Sequence, residues 1–174
     1  MIKPYGLVVA LWMGGLTGIW AQSTPVQPAS PPYPRVAGYF SIIHPILTLT
    51  AGETSHNFSP AYTVGFPTGV NILKSDRIGF SFEITPFIRV ENGNARMYTL
   101  LFHPGIMFRF PHYFTINARL AFETSGRFGV TPVFSKVIKR NKDSSYFVAV
   151  PLPVRLGNDA PGSVGFGVQV GVGF

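Results

Sequence analysis

Ser163-Val-Gly-Phe-Gly-Val-Gln-Val-Gly-Val-Gly-Phe174 is the stretch whose reading decides the fold. In an extended strand, successive side chains point to opposite faces. Val164, Phe166, Val168, Val170, Val172 and Phe174 therefore share one face, and Gly165, Gly167, Gln169, Gly171 and Gly173 share the other. One face is wholly apolar and the other nearly bare. The wall of a membrane barrel needs such a strand, with lipid outside and a crowded lumen inside.

The same parity continues upstream. Phe58–Ile72, Ile78–Val90, Tyr98–Phe110, Phe114–Phe122, Phe128–Phe134 and Tyr146–Leu156 place an uncharged residue at every even position. Their odd positions carry Gly65, Asn71, Ser81, Glu83, Arg89, His103, Arg109, Asn117, Arg119, Glu123, Thr131 and Arg155, with Phe87, Leu101, Met107 and Phe147 as apolar exceptions. This is the period-2 mark of strands between two environments. An eighth run lies in Gly38–Thr50, where Tyr39, Ile43, Pro45, Leu47 and Leu49 look more lipid-compatible than His44, Thr48 and Thr50. Its phase is ambiguous, as a β-bulge would make it. Turn residues separate the runs at 52–57, 74–77, 92–94, 111–112, 125–127, 140–145 and 157–162. The expected fold is an all-β, eight-stranded antiparallel up-and-down transmembrane β-barrel over residues 38–174.

Composition agrees. Charged residues make up 12% of the 174, about half the usual share, while hydrophobic residues reach 46%. A soluble globule needs more surface charge. The absence of Cys excludes disulfides, thiolate metal sites and a lipoprotein anchor.

At the N-terminus, Lys3 precedes the charge-free apolar stretch Leu7–Trp20, and Ala21 offers a cleavage site. Residues 1–21 are read as a secretory signal peptide. A spanning helix needs roughly 20 apolar residues, and Gly14, Gly15 and Gly18 weaken this one. Residues 22–37 are rich in proline and form an expected periplasmic linker.

The signal peptide, the meander and the terminal aromatic together resemble the small bacterial outer-membrane barrels, the class of the OmpA transmembrane domain, OmpX and PagP. The resemblance covers residues 38–174 as an architecture and implies an outer-membrane location with both termini periplasmic. It also implies recognition of Val170, Val172 and Phe174 by the barrel-assembly machinery, outer-membrane lipids as partners, and a monomer.

On that orientation the periplasmic turns carry seven basic residues against two acidic ones, the outer turns two against four, and the lumen four against one. The basic rim suits anionic lipid head groups, although exposed turns need solvating charge in any case. Basic residues divided between a rim and a lumen do not make a nucleic-acid surface.

The lumen of eight strands can be filled by side chains. Glu83, His103 and Arg119 fall at mid-height, and an ion pair of Glu83 with Arg119 beside His103 is expected because buried charge needs partners. Arg89, Glu123 and Arg155 form a second group nearer the outside, and Arg109 joins the inner face. Such a polar plug fixes the interior; a narrow ion path is the alternative.

Enzymes of the resembled class imply two catalytic arrangements. The lipid A deacylase arrangement of His-x-Ser is absent at His44, His56, His103 and His112. Ser55, His56 and Asp159 in outer loops faintly echo the palmitoyltransferase. No catalytic residue, metal or cofactor is expected.

Pro45, Pro67, Pro86, Pro104, Pro132, Pro151 and Pro153 interrupt six of the eight expected strands, which is unusual because proline cannot donate to a ladder. They read as a belt of bulges, or as a weakened wall that admits an acyl chain sideways. The expected function is a non-enzymatic envelope or surface-interaction barrel. A conduit or lateral-access site for a lipid or small solute is the alternative, followed by a lipid-modifying enzyme.

Overall fold

The computed structural model describes residues 32–174, so the expected signal peptide and most of the linker lie outside the described residues. Eleven strands run in order: β1 Arg35–Thr50, β2 Glu53–His56, β3 Tyr62–Gly65, β4 Thr68–Leu73, β5 Ile78–Glu91, β6 Asn94–Phe110, β7 Phe114–Glu123, β8 Phe128–Arg140, β9 Ser145–Pro151, β10 Val154–Leu156 and β11 Ser163–Gly173. All pairings are antiparallel, and β11 returns to pair with β1 from Tyr39↔Gly173 to Thr50↔Ser163. That last pairing closes the sheet into a barrel. β1 already pairs from Arg35, so residues 35–37 belong to the barrel rather than to the linker.

The strand count is eleven, not eight. β2 is an added strand within the expected turn 52–57, the second expected run is divided into β3 and β4, and the seventh into β9 and β10. The excursion Asn57–Ala61, with Pro60, separates β2 from β3, and the two divisions fall at Phe66-Pro67 and Leu152-Pro153. At each, a proline without an N–H cannot hold the ladder. The fragments nevertheless keep their places: β3 and β4 lie between β1 and β5, while β9 and β10 lie between β8 and β11.

The parity reading describes the wall well. On β5, Phe82 is 51% exposed, whereas its neighbours Ser81 and Glu83 are 0% and 5% exposed. Phe80, Ile84, Phe102, Ile106, Phe108, Leu120, Phe122, Val130, Val148, Val164 and Val170 form the outer apolar band. Among the described residues the buried set contains twelve polar or charged residues and seven hydrophobic ones. A soluble domain has the reverse distribution.

Three bulges change the phase, one of them at Ile138, where the register of β8 with β9 shifts between Val137 and Lys139. In β1 the register with β11 shifts between Pro45 and Leu47. Before it, Tyr39, Ser41, Ile43 and Pro45 face inward with Gly173, Gly171, Gln169 and Gly167; after it, Leu47 and Leu49 face outward with Phe166 and Val164. The expected lipid-facing set Tyr39, Ile43, Pro45, Leu47 and Leu49 is thus corrected: only the last two lie outside. In β6, Tyr98 is the extra residue opposite Phe87 and Ile88, so it leaves the outer face and lines the mouth of the lumen.

Glycine on the inner face makes room for large lumen side chains. A Cβ at Gly69 would strike the Tyr39 ring, and one at Gly105 would approach Arg119 Cγ to 2.7 Å. At Gly171 it would come within 2.5 Å of Phe147 Cζ. The bare face of the final strand is therefore the floor on which neighbouring side chains lie. At the β5–β6 hairpin, Asn92 and Gly93 have φ of 51° and 77°, the paired positive values that a two-residue type I′ turn requires.

Candidate functional site: a plugged lumen between two cavities

Glu83 is the hub of the lumen. Its Oε2 accepts from Tyr39 Oη at 2.7 Å and from Arg119 Nη1 at 2.6 Å. Its Oε1 accepts from Thr85 Oγ1 at 3.1 Å and from His103 Nδ1 at 3.0 Å. Four donors match the capacity of one carboxylate. Arg119 Nη2 also donates to Tyr39 Oη at 2.8 Å and to Ser81 Oγ at 2.9 Å.

A second hub continues toward the end opposite Phe174. Arg155 Nε donates to Glu123 Oε1 at 2.7 Å, and its Nη1 donates to Thr131 Oγ1 at 2.9 Å. Arg155 Nη2 lies 3.3 Å from His103 Nε2. A guanidinium can only donate, so Nε2 accepts, and the imidazole proton sits on Nδ1 facing Glu83. His103 thereby joins both hubs into one network. It reaches from β1 through β5, β6, β7 and β8 to β10.

The remaining expected members lie apart. Arg89 pairs with Glu91 at 3.5 Å rather than with Glu123, and its guanidinium lies over the Tyr98 ring at 5.5 Å. Arg109 lines a separate cavity nearer Phe174. Tyr39, Ser81, Thr85 and Thr131 were not singled out from the sequence. Thr131, Ser81 and Thr85 sit at inward odd positions and carried that signal; Tyr39 was hidden by the bulge that follows it.

The network divides the interior. On the Phe174 side is a cavity of about 520 Å³, with Leu73, Met107, Phe147 and Val133 on its walls and Asn71, Asn117 and Arg119 at its polar surface. At the opposite mouth is a cavity of about 330 Å³ lined by Arg89, Arg127, Arg155 and Glu123 among others. The two share no lining residue among the described residues, and a void of about 60 Å³ beside Glu83, His103 and Arg155 touches both sets. Leu101, 2% exposed, adds apolar filling at this height.

The prolines do not form a uniform belt of interruptions. β5, β6 and β8 run through Pro86, Pro104 and Pro132, and β1 runs through Pro45 with a bulge; only Pro67, Pro151 and Pro153 stand at breaks between strands. Pro86 accepts from Phe66 N–H and Pro132 from Leu152 N–H. A residue's N and C=O face the same neighbour in an antiparallel pair, so both missing donors face those breaks. Two ladder gaps result: β6–β7 pairing skips His103 and Pro104, and pairing with β11 skips Val150–Leu152.

Ser55 and His56 lie in β2, not in a loop, and Ser55 Oγ donates to the Thr48 carbonyl at 3.4 Å. His44, on the outer face opposite Val168, shares a 3.0 Å hydrogen bond with Tyr62.

No protein-family model matches the chain, and no curated protein matches it in sequence. Among solved structures it is similar to the de novo designed TMB2.3, determined by solution NMR, at 11% identity and a TM-score of 0.49, over 81% of this chain and 94% of that one. It is also similar to a chain from the de novo design of transmembrane beta-barrels, at 9% identity and a TM-score of 0.49, over 83% and 98%. The barrel assignment rests on this chain's own pairing, closed from β1 to β11.

Proposed function

We propose that this protein is an integral outer-membrane β-barrel with a non-enzymatic, structural or surface-interaction role, its lumen closed by the Glu83–Arg119–His103–Arg155 network. The observation that carries the reading is the inverted distribution of polarity, with charged side chains buried inside and Phe, Ile, Val and Leu around the outside. Only closed barrels and helices satisfy every backbone group in lipid. The outer membrane follows from the resemblance to small bacterial barrels and from the expected signal peptide. The Phe174 end then faces the periplasm.

Closure of the lumen is the testable part. The protein is refolded into a planar bilayer and its conductance recorded. Electrically silent insertion is expected; steady channels would overturn the plug. A second reading, lateral access for an acyl chain, is favoured by the ladder gap between β9/β10 and β11, behind which the 60 Å³ void lies. Lipid-modifying chemistry is the weakest reading, since Ser55 Oγ is directed to a backbone carbonyl rather than to His56.

A further inference from the structure

The 330 Å³ mouth cavity carries an electrostatic surplus that the plug does not use. Arg155 is matched by Glu123 at 2.7 Å. Glu91 is shared more loosely between Arg89 at 3.5 Å and Arg96 at 3.8 Å. Arg127 has no carboxylate within ion-pair distance among the described residues. Its Nη2 instead donates to the Arg155 and Pro161 carbonyls at 3.3 and 3.0 Å and to Ser163 Oγ at 3.1 Å. Glu53 and Asp159 are exposed and form no ion pair with these arginines. Three arginines, Arg89, Arg127 and Arg155, thus line the cavity against one glutamate, Glu123.

One of these guanidiniums also holds a spare donor. Arg127 Nε is buried with no hydrogen-bonded acceptor in the protein, whereas Arg89 Nε lies 3.5 Å from Glu91 Oε2, an ion pair without hydrogen-bond geometry. Leaving such a group unmatched costs free energy, and both side chains line the same half-open cavity. Thr99, Ser163 and Tyr98 contribute hydroxyls to the same lining. Planar guanidinium forks suit oxyanions. The net surplus of two positive charges matches a phosphate monoester, which carries about −1.5 to −2 at neutral pH.

From the spare Nε donor of Arg127, the loosely paired Arg89 and this surplus, we propose that the mouth cavity binds a phosphoryl group, held chiefly by Arg127 and Arg89. The source is either a soluble phosphate compound or the head group of an anionic lipid. The site needs only the mouth of the barrel, so a conducting lumen would sink the plug and leave this site standing.

Two probes separate the sources: inorganic phosphate, followed by calorimetry on the full barrel in an uncharged detergent, and phosphatidic acid, followed as lipid adducts by native mass spectrometry. Saturable one-to-one binding of at least one is expected. Arg127→Gln and Arg89→Gln should each weaken it by about tenfold, Arg127→Lys should retain part of it, and Arg109→Gln in the other cavity should leave it unchanged. Phosphate binding with this pattern supports a soluble ligand; phosphatidate adducts alone with this pattern support a head group. If Arg127→Gln fails to fold, judged by its gel mobility before and after heating, Arg89→Gln decides. Absence of binding by both probes, binding indifferent to the mouth variants, or equal loss in Arg109→Gln would overturn the site.

Discussion

The arc from β5 to β8 and the arc from β9 through β11 and β1 to β4 are built from the same alternating sequence, yet the first keeps whole strands with one ladder gap, at His103–Pro104 between β6 and β7, while the second is broken into fragments. β5 and β6 pair from Ile78↔Phe108 to Glu91↔Asn94 with a single shift, and both pass through a proline. β9 and β10 meet β11 only at Gln169–Gly173 and at Ser163–Val164, with the Gly165–Pro153 bond between. Proline content does not explain the difference; for Pro86 and Pro132 the direction of the missing donor does, while Pro104 faces β7 and leaves the one gap within the first arc. Pro86 and Pro132 belong to the first arc but direct their lost N–H outward from it, to the breaks at Phe66-Pro67 and Leu152-Pro153. The broken arc is in turn held from inside. Tyr39 on β1 reaches Glu83 and Arg119, and Arg155 on β10 reaches Glu123 and Thr131.

If the lumen network ties one arc to the other, Glu83→Gln should have the largest effect. It leaves Arg119, buried at 5% exposure, without its counter-charge, and loss of about 3–5 kcal/mol is expected. Reversible urea unfolding from lipid vesicles measures it; a loss below 1 kcal/mol would show that the tie is not structural. Tyr39→Phe keeps the ring against Phe147, with centroids 6.0 Å apart, but removes the bonds to Glu83 and Arg119. About 1–3 kcal/mol is expected, together with faster amide exchange along β1. A stability change confined to β5–β8 would break the comparison.

The smallest effect concerns the wall alone. The amide of Gly167, which faces the gap, should exchange with solvent sooner than those of Phe80 and Phe82 in the first arc. Equal protection would mean that the gap beside β11 is sealed in another way. Pro132→Ala, which restores a donor toward Leu152, should raise protection there and change stability by less than about 1 kcal/mol.

The wall was largely legible because its signal is local. A lipid-facing position must be apolar whatever its partner is, so even parity from Phe58 to Phe174 is written residue by residue. Glu83, Arg119 and His103 were legible as inward and near one height for the same reason. Tyr39 was not, because a bulge at Pro45–Leu47 reverses the phase within one strand and the two halves average to no pattern. Nor was Tyr98, displaced by the register shift of β6. Arg127 read as a solvated turn residue, since nothing in Ser-Gly-Arg says that the turn folds over the lumen.

Sequence alone determined the all-β class, the apolar outside, the polar inside and the sites where proline would disturb pairing. Tertiary structure alone decided the break into eleven strands, which neighbour each proline deprives of a donor, and which charged groups meet. The reason is geometric. Alternation is a property of one strand, but ring closure between β1 and β11 and the accumulated bulges set the stagger of every strand against the others. That stagger brings Glu83 to Arg119 and leaves Arg127 at the mouth with a donor to spare.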